Sequence, residues 1–161
     1  METTVAAEIL VALPREQVWL RLKDLSIAHH YVPGLTGTRM VTAQTEGVGT
    51  SRQVFQRGMG ALDETVIEWN EGYGFVLRLH KGEKPLPPFR QARFVYAIAD
   101  AGPGQTWFRP AMVYELPWGW FGRLLDRALM QRISRRTLER VAASFKQYYE
   151  TGVPSNPQFA G

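Results

Sequence analysis

One long helix near the end of this chain has to find a broad partner. From Phe121 to Tyr149, the residues Phe121, Leu124, Leu125, Ala128, Leu129, Ile133, Val141, Phe145 and Tyr148 recur at helical spacing. Arg123, Arg127, Arg132, Arg135, Arg136, Arg140 and Lys146 crowd the other positions. Almost everything before this stretch alternates as β-strand, so a sheet is the one surface available to cover the stripe. A curved sheet gripping a single helix leaves a space between the two, and such spaces take small ligands.

With 161 residues the chain can bury one good core and is too short to expect two domains. No apolar run approaches the roughly 18 to 20 residues that span a bilayer. Met1-Glu2-Thr3-Thr4 lacks the basic start and apolar stretch of a signal peptide, so the cytoplasm is the expected compartment. The absence of cysteine removes disulfides, thiolate catalysis and cysteine-ligated metal. The net charge of +4 sits largely on the terminal helix, where it suits nucleic acid or an anionic membrane. Asp126 and Glu139 interrupt that basic face. A solvated surface is therefore expected, with no nucleic-acid partner and with membrane contact the less favoured use.

Along the chain, Val5, Ala7, Ile9 and Val11 alternate within a strand over 3–12. Pro14 suits the first turn of a helix that continues through Val18, Trp19 and Leu22. Asp24 or Ser26 caps a second short helix through His29-His30, ended by Pro33-Gly34. Strands follow at about 36–44, 48–57, 60–70, 73–80, 90–100 and 104–116, joined as a meander by short glycine turns. The segment from Lys81 to Pro88 is too proline-rich for a tight hairpin and suits a loop over a pocket mouth. One domain is expected over 1–152, with a flexible tail over 153–161.

Six local patterns follow one another along the chain: Leu13-Pro14-Arg15-Glu16-Gln17-Val18-Trp19, Tyr31-Val32-Pro33-Gly34-Leu35, Gly47-Val48-Gly49-Thr50-Ser51-Arg52, Glu64-Thr65-Val66-Ile67-Glu68-Trp69, Gly104-Gln105-Thr106 and Gly122-Arg123-Leu124-Leu125. In this order and spacing they resemble the helix-grip superfamily of START lipid-transfer domains, birch-pollen-allergen-like proteins and polyketide cyclase/dehydrase-like proteins, the SRPBCC grouping. The resemblance implies an α+β helix-grip fold. A curved antiparallel sheet would carry two short helices after the first strand, with one long C-terminal helix packed on its concave face. It also implies an internal cavity, while the superfamily's uses include transport, cyclisation, sensing and co-chaperone activity.

Alternation assigns the cavity wall. Thr106, Phe108, Pro110, Met112 and Tyr114 share the uncharged face of their strand. Ala92, Phe94, Tyr96 and Ile98 share another, as do Phe75, Leu77 and Leu79. The 60–70 strand leaves two faces open, Leu62-Glu64-Val66-Glu68 against Ala61-Asp63-Thr65-Ile67-Trp69. Phe75, Leu77, Phe94, Tyr96, Phe108, Met112 and Tyr114, with Glu64 and Tyr31, form the expected ligand-binding set. Such a wall suits an apolar or aromatic molecule, lipid- or polyketide-like, oriented by the phenols of Tyr96 and Tyr114. The alternative is a cyclase, aromatase or dehydratase working by orientation in the same cavity, with Tyr96, Tyr114 or Glu64 supplying protons. A third is an interaction module using the basic helix.

Glu64 reads as a proton-transfer acid against an apolar wall or, more simply, as a surface or salt-bridged residue. His29 and His30 diverge as helical neighbours, so no metal is expected and no cofactor is implied. No nucleophile elbow or phosphate-cradling loop occurs. Trp118-Gly119-Trp120-Phe121-Gly122 suits a membrane interface, although the expectation is that these aromatics pack beneath the helix start.

Overall fold

The computed structural model describes residues 1–154. Strands β1 (Thr3–Ala6), β2 (Ile9–Val11), β3 (Leu35–Met40), β4 (Ser51–Gln56), β5 (Gly60–Asn70), β6 (Gly74–Lys81), β7 (Lys84–Pro85), β8 (Gln91–Asp100) and β9 (Thr106–Glu115) form one nine-stranded sheet. Its order is β1-β9-β8-β6-β5-β4-β3, an antiparallel meander whose last strand pairs back to the first. Helices α1 (Arg15–Leu22) and α2 (Ala28–Tyr31) carry the chain from β2 to β3, with Leu25–Ile27 as a 3₁₀ turn between them. The C-terminal helix runs as α3 (Gly119–Leu125), a π-turn over Asp126–Met130 and α4 (Gln131–Thr151). This is the α+β helix-grip architecture.

The departures from the sequence reading have local causes. The expected strand 3–12 breaks at Ala7-Glu8, between the Ala6–Ala111 and Ile9–Phe108 pairs; Ala7 N donates to the Pro110 carbonyl at 3.0 Å, but Pro110 has no N–H to return. The strand expected from Val48 begins only at Ser51, since Gly47 and Gly49 both hold positive φ. The Lys81–Pro88 connection does contain a tight hairpin, with Lys81 opposite Lys84 and His80 opposite Pro85, and its proline-rich part follows. Asp24 is the cap, its Oδ1 accepting from Ser26 N at 3.1 Å. Gly152 ends α4 in the left-handed conformation, as a C-terminal glycine does. The tail expected over 153–161 lies outside the described residues beyond Pro154.

A β-bulge settles the two-faced β5. Val66 pairs with Leu77 but Glu68 with Val76, so the register shifts by one residue between them. Before the bulge Leu62, Glu64 and Val66 are buried; after it Trp69 turns inward and stacks on Phe75 at 5.6 Å. Both candidate faces are thus used, one on either side of the bulge.

The long helix does not carry one continuous buried stripe. Val141 and Phe145 are buried, together with Leu138, Ala142 and Tyr149, whereas Phe121, Leu124, Leu129 and Ile133 are exposed. The π-turn inserts one residue and rotates the helix by about 100°. An unbroken helical period cannot describe both halves.

At Gly74, with φ 135°, a Cβ would lie 1.9 Å from the Tyr96 carbonyl oxygen. Gly74→Ala is therefore expected to destabilise the protein by about 2–4 kcal/mol in urea unfolding. Gly104→Ala, with φ 69° and open space around it, should cost only about 1–2 kcal/mol.

Candidate functional site

The concave face is built from the short strand period. Phe75, Leu77, Tyr96, Phe108 and Tyr114 are all under 5% exposed, Glu64 and Tyr31 are buried, and Phe94 and Met112 are half-buried. These nine positions therefore lie on or against the interior wall. Phe94 pairs with Leu77 on one side and with Met112 on the other, so they form a row across the sheet.

Aromatic rings line the space between wall and helix. Phe108 of β9 stacks on Phe145 of α4 with centroids 3.7 Å apart, and Phe145 stacks on Tyr149 at the same distance. Tyr31, delivered by α2, meets Phe145, Tyr148, Tyr149 and Tyr96. Tyr96 in turn contacts Phe75, Phe94 and Phe108.

A charged pair stands in this apolar setting. Arg52 is 1% exposed, and its Nε donates to Glu64 Oε2 at 2.6 Å while Nη1 donates to the Leu25 carbonyl at 2.7 Å. Burial opposes the guanidinium's charge, but Glu64 outweighs it and raises Arg52 above its ordinary value. Glu64 is thus the salt-bridged residue rather than a lone acid against an apolar wall. The two face each other directly across β4 and β5. Arg52 belongs to the Gly47–Arg52 pattern but lies outside the expected ligand-binding set. Only the register of β4 on β5, which local spacing does not show, sets it opposite Glu64.

The phenols of Tyr31 and Tyr96 stand near the pair, and that of Tyr149 lies beyond them. Burial pushes Tyr31 up to about 12, with Arg52 partly offsetting it. Burial likewise raises Tyr96 well above its ordinary value, and raises Tyr149 with Tyr31 adding to the effect. All three are protonated at neutral pH. The Tyr31 and Tyr149 hydroxyls are buried without a hydrogen-bond partner among the described residues. Tyr96 lies near enough to Tyr31 to influence its titration, without the geometry of a formed hydrogen bond.

Tyr114 belongs to a second polar centre at the helix start. Its hydroxyl donates to Asp126 Oδ1, and Asp126 Oδ2 accepts from Thr3 Oγ1 at 2.8 Å and Gln131 Nε2 at 3.0 Å. Burial works to raise Asp126, but these hydrogen bonds outweigh it and hold the carboxyl below its usual range. In the sequence Asp126 stands out only as an interruption of the basic face. It also lines a pocket of about 390 Å³ with Arg90, Leu116, Pro117, Gly122 and Arg123. His29 Nδ1 and His30 Nδ1 pair with Thr38 and Tyr148 hydroxyls, and no group of three metal-ligating side chains occurs among the described residues.

Comparison with known proteins agrees with this architecture. A family model described as polyketide cyclase / dehydrase and lipid transport matches residues 2–146. A START superfamily protein from Mycobacterium smegmatis is similar in structure, with 16% identity, TM-score 0.70, and coverage of 93% of this chain and 99% of that one. A norcoclaurine synthase point mutant from Thalictrum flavum superposes with TM-score 0.70 at 13% identity, covering 92% and 94% of the two chains. An aromatase/cyclase from Streptomyces sp. R1128 gives 0.67 at 13% identity over 94% and 98%. At these identities the likeness is one of fold. No curated protein matches the sequence.

Arg52→Met, which strands Glu64 without its cation, is expected to cost about 3–5 kcal/mol. Arg52→Met combined with Glu64→Leu should restore most of that loss in urea unfolding. Asp126 has a native pKa below its unfolded value, so its contribution is present above about pH 4 and is lost as pH falls through the native pKa. Unfolding midpoints measured from about pH 5 to 2 should therefore fall less steeply for Asp126→Asn than for the parent.

Proposed function

The chain belongs to the polyketide cyclase / dehydrase and lipid transport family, and from that premise we propose that it binds a hydrophobic or aromatic small molecule between sheet and helix. Residues 1–152 act as one domain for this purpose. The observation that carries the reading is a pair of buried hydroxyls, on Tyr31 and Tyr149, that no group among the described residues satisfies inside an aromatic interior. A buried hydroxyl without a partner costs about 1–3 kcal/mol. A guest with an apolar body and a carbonyl or hydroxyl would relieve that cost while the rings of Phe75, Phe94 and Phe108 cover the rest of it.

The rings that line the face set the shape of such a guest. Phe94 and Met112 are the half-buried members of the wall, so the apolar body of the ligand lies over that row. Its polar end reaches the phenols and Arg52. Burial of apolar area supplies affinity at roughly 25 cal/mol per Å² before ordering costs, and a lipid or a polyketide-like molecule both meet this description.

The same cluster supports a second reading as a cyclase- or dehydratase-type enzyme. The Tyr31 phenol, pushed up to about 12, keeps its proton at neutral pH, beside a fixed guanidinium. Together they could polarise a substrate carbonyl and supply a proton, with the shaped wall contributing orientation.

Native mass spectrometry of freshly purified protein, beside the same sample denatured, tests the first reading. Extra mass that disappears on denaturation is expected, and a lipid or a polyketide-like metabolite in that mass would choose between carrier and enzyme. Tyr149→Phe should raise unfolding stability by about 1 kcal/mol and lower the retained fraction severalfold. Unchanged retention with unchanged stability would remove Tyr149 from the site.

A further inference from the structure

The first turns of the C-terminal helix hold their apolar side chains away from the sheet. Trp118, Trp120, Phe121 and Leu124 are 48%, 74%, 55% and 59% exposed, and Leu129 and Ile133 continue the run. These aromatics do not pack beneath the helix start, contrary to the expectation from sequence. Gly122 takes the inward position instead, where a Cβ would meet Leu116 and Trp118 at 3.4 and 3.5 Å. Other exposed large hydrophobics, such as Leu20 and Met59, lie on separate elements, which is ordinary for a protein surface.

Charge accompanies the apolar run. Arg123, Arg127, Arg132, Arg135 and Arg136 are exposed, and none joins an ion pair among the described residues. The one acid between Trp118 and Leu138 is Asp126, which is buried and hydrogen-bonded by Thr3, Tyr114 and Gln131. The β6–β8 connection brings Arg90 to the same end of the fold, where it pairs with Glu115 at 3.7 Å. Gln91 pairs with Glu115, Phe89 packs on Tyr114 at 5.2 Å, and Arg90 shares a pocket with Arg123.

We propose that this face docks the protein on an anionic lipid bilayer. The indoles of Trp118 and Trp120 would sit at headgroup level, with Phe121 and Leu124 below them and the arginines among the phosphates. No helix of the described residues is long and apolar enough to cross a membrane, so the helix lies in the interface plane. A second copy of the chain fits this face poorly, because two such surfaces bring unpaired arginines against arginines. Nucleic acid would use the arginines but leave Leu124, Leu129 and Ile133 without a role. Docking requires nothing inside the grip, so it stands separately from the ligand reading.

The test is flotation of the full chain with phosphatidylcholine vesicles, with and without about 30% phosphatidylglycerol, at about 0.05 and 0.5 M salt. The expected result is binding to the anionic vesicles that weakens about tenfold or more without phosphatidylglycerol or at high salt. Trp120→Ser with Phe121→Ser should reduce that binding about tenfold, and Arg127→Glu with Arg135→Glu should do likewise. Leu20→Ser, an exposed apolar residue on α1, should leave it unchanged. Urea midpoints of all variants verify the fold, and the arginine variant carries the test if the aromatic one unfolds. Failure to float with anionic vesicles overturns the proposal, as does flotation indifferent to both double variants. A concentration-dependent dimer abolished by the aromatic variant would instead give the face to a second copy. Oligonucleotide binding without flotation would give it to nucleic acid.

Discussion

The contact on which the rest of this structure depends is the face-to-face packing of Phe108 on Phe145. It joins the start of β9, the strand that ties the meander to β1 and β2, to the C-terminal half of α4. Phe145 then continues into Tyr149, and Tyr31 closes on Phe145 and Tyr149 from α2. Sheet, short helices and long helix thus meet in one column of aromatic side chains. Each such pair contributes about 0.5–1.5 kcal/mol beyond its buried area. Any guest in the grip has to share that column, so the packing that holds the fold also sets the shape and chemistry of what can enter.

The Arg52–Glu64 pair answers a different need. Two charges this deep gain little net stability, because their desolvation offsets most of their attraction. Their value lies in position. Arg52 also holds the Leu25 carbonyl of the 3₁₀ turn, so the short-helix segment that delivers Tyr31 is tied to β4 by the same guanidinium that faces β5. The phenols are therefore presented to the interior by a framework of directional bonds. Apolar packing alone would let α2 shift, and the orientation of Tyr31 with it.

What could be read from the sequence follows from where its periods are unbroken. β6, β8 and β9 keep a strict alternation, and their inward residues Phe75, Leu77, Phe94, Tyr96, Phe108, Met112 and Tyr114 follow directly from it. β5 resisted because its bulge changes the inward parity after Val66, and no residue type announces that one extra position. The N-terminal strand resisted because its break is dictated by Pro110, more than a hundred residues away in the chain. Arg52 and Asp126 were visible as residues but not as parts of a site. Their roles depend on cross-strand pairing and on a π-turn, and neither leaves a mark in local spacing.

That π-turn explains how one helix can serve two surfaces. An uninterrupted helix from Gly119 would keep the same stripe along its whole length, and Leu124 would lie about 60° around the axis from Phe145, toward the sheet. The extra residue at Asp126–Met130 rotates the first turns away from that stripe. Asp126 holds the rotation in place, since its carboxylate is anchored to Thr3 of β1 and Tyr114 of β9. A buried carboxylate with those partners costs less than one left without them, so the irregular turn is stabilised by the bonds it makes possible. The consequence is a division of labour along a single element. α4 closes the grip, and α3 presents tryptophan, phenylalanine, leucine and arginine outward beside a pocket that Asp126 itself lines.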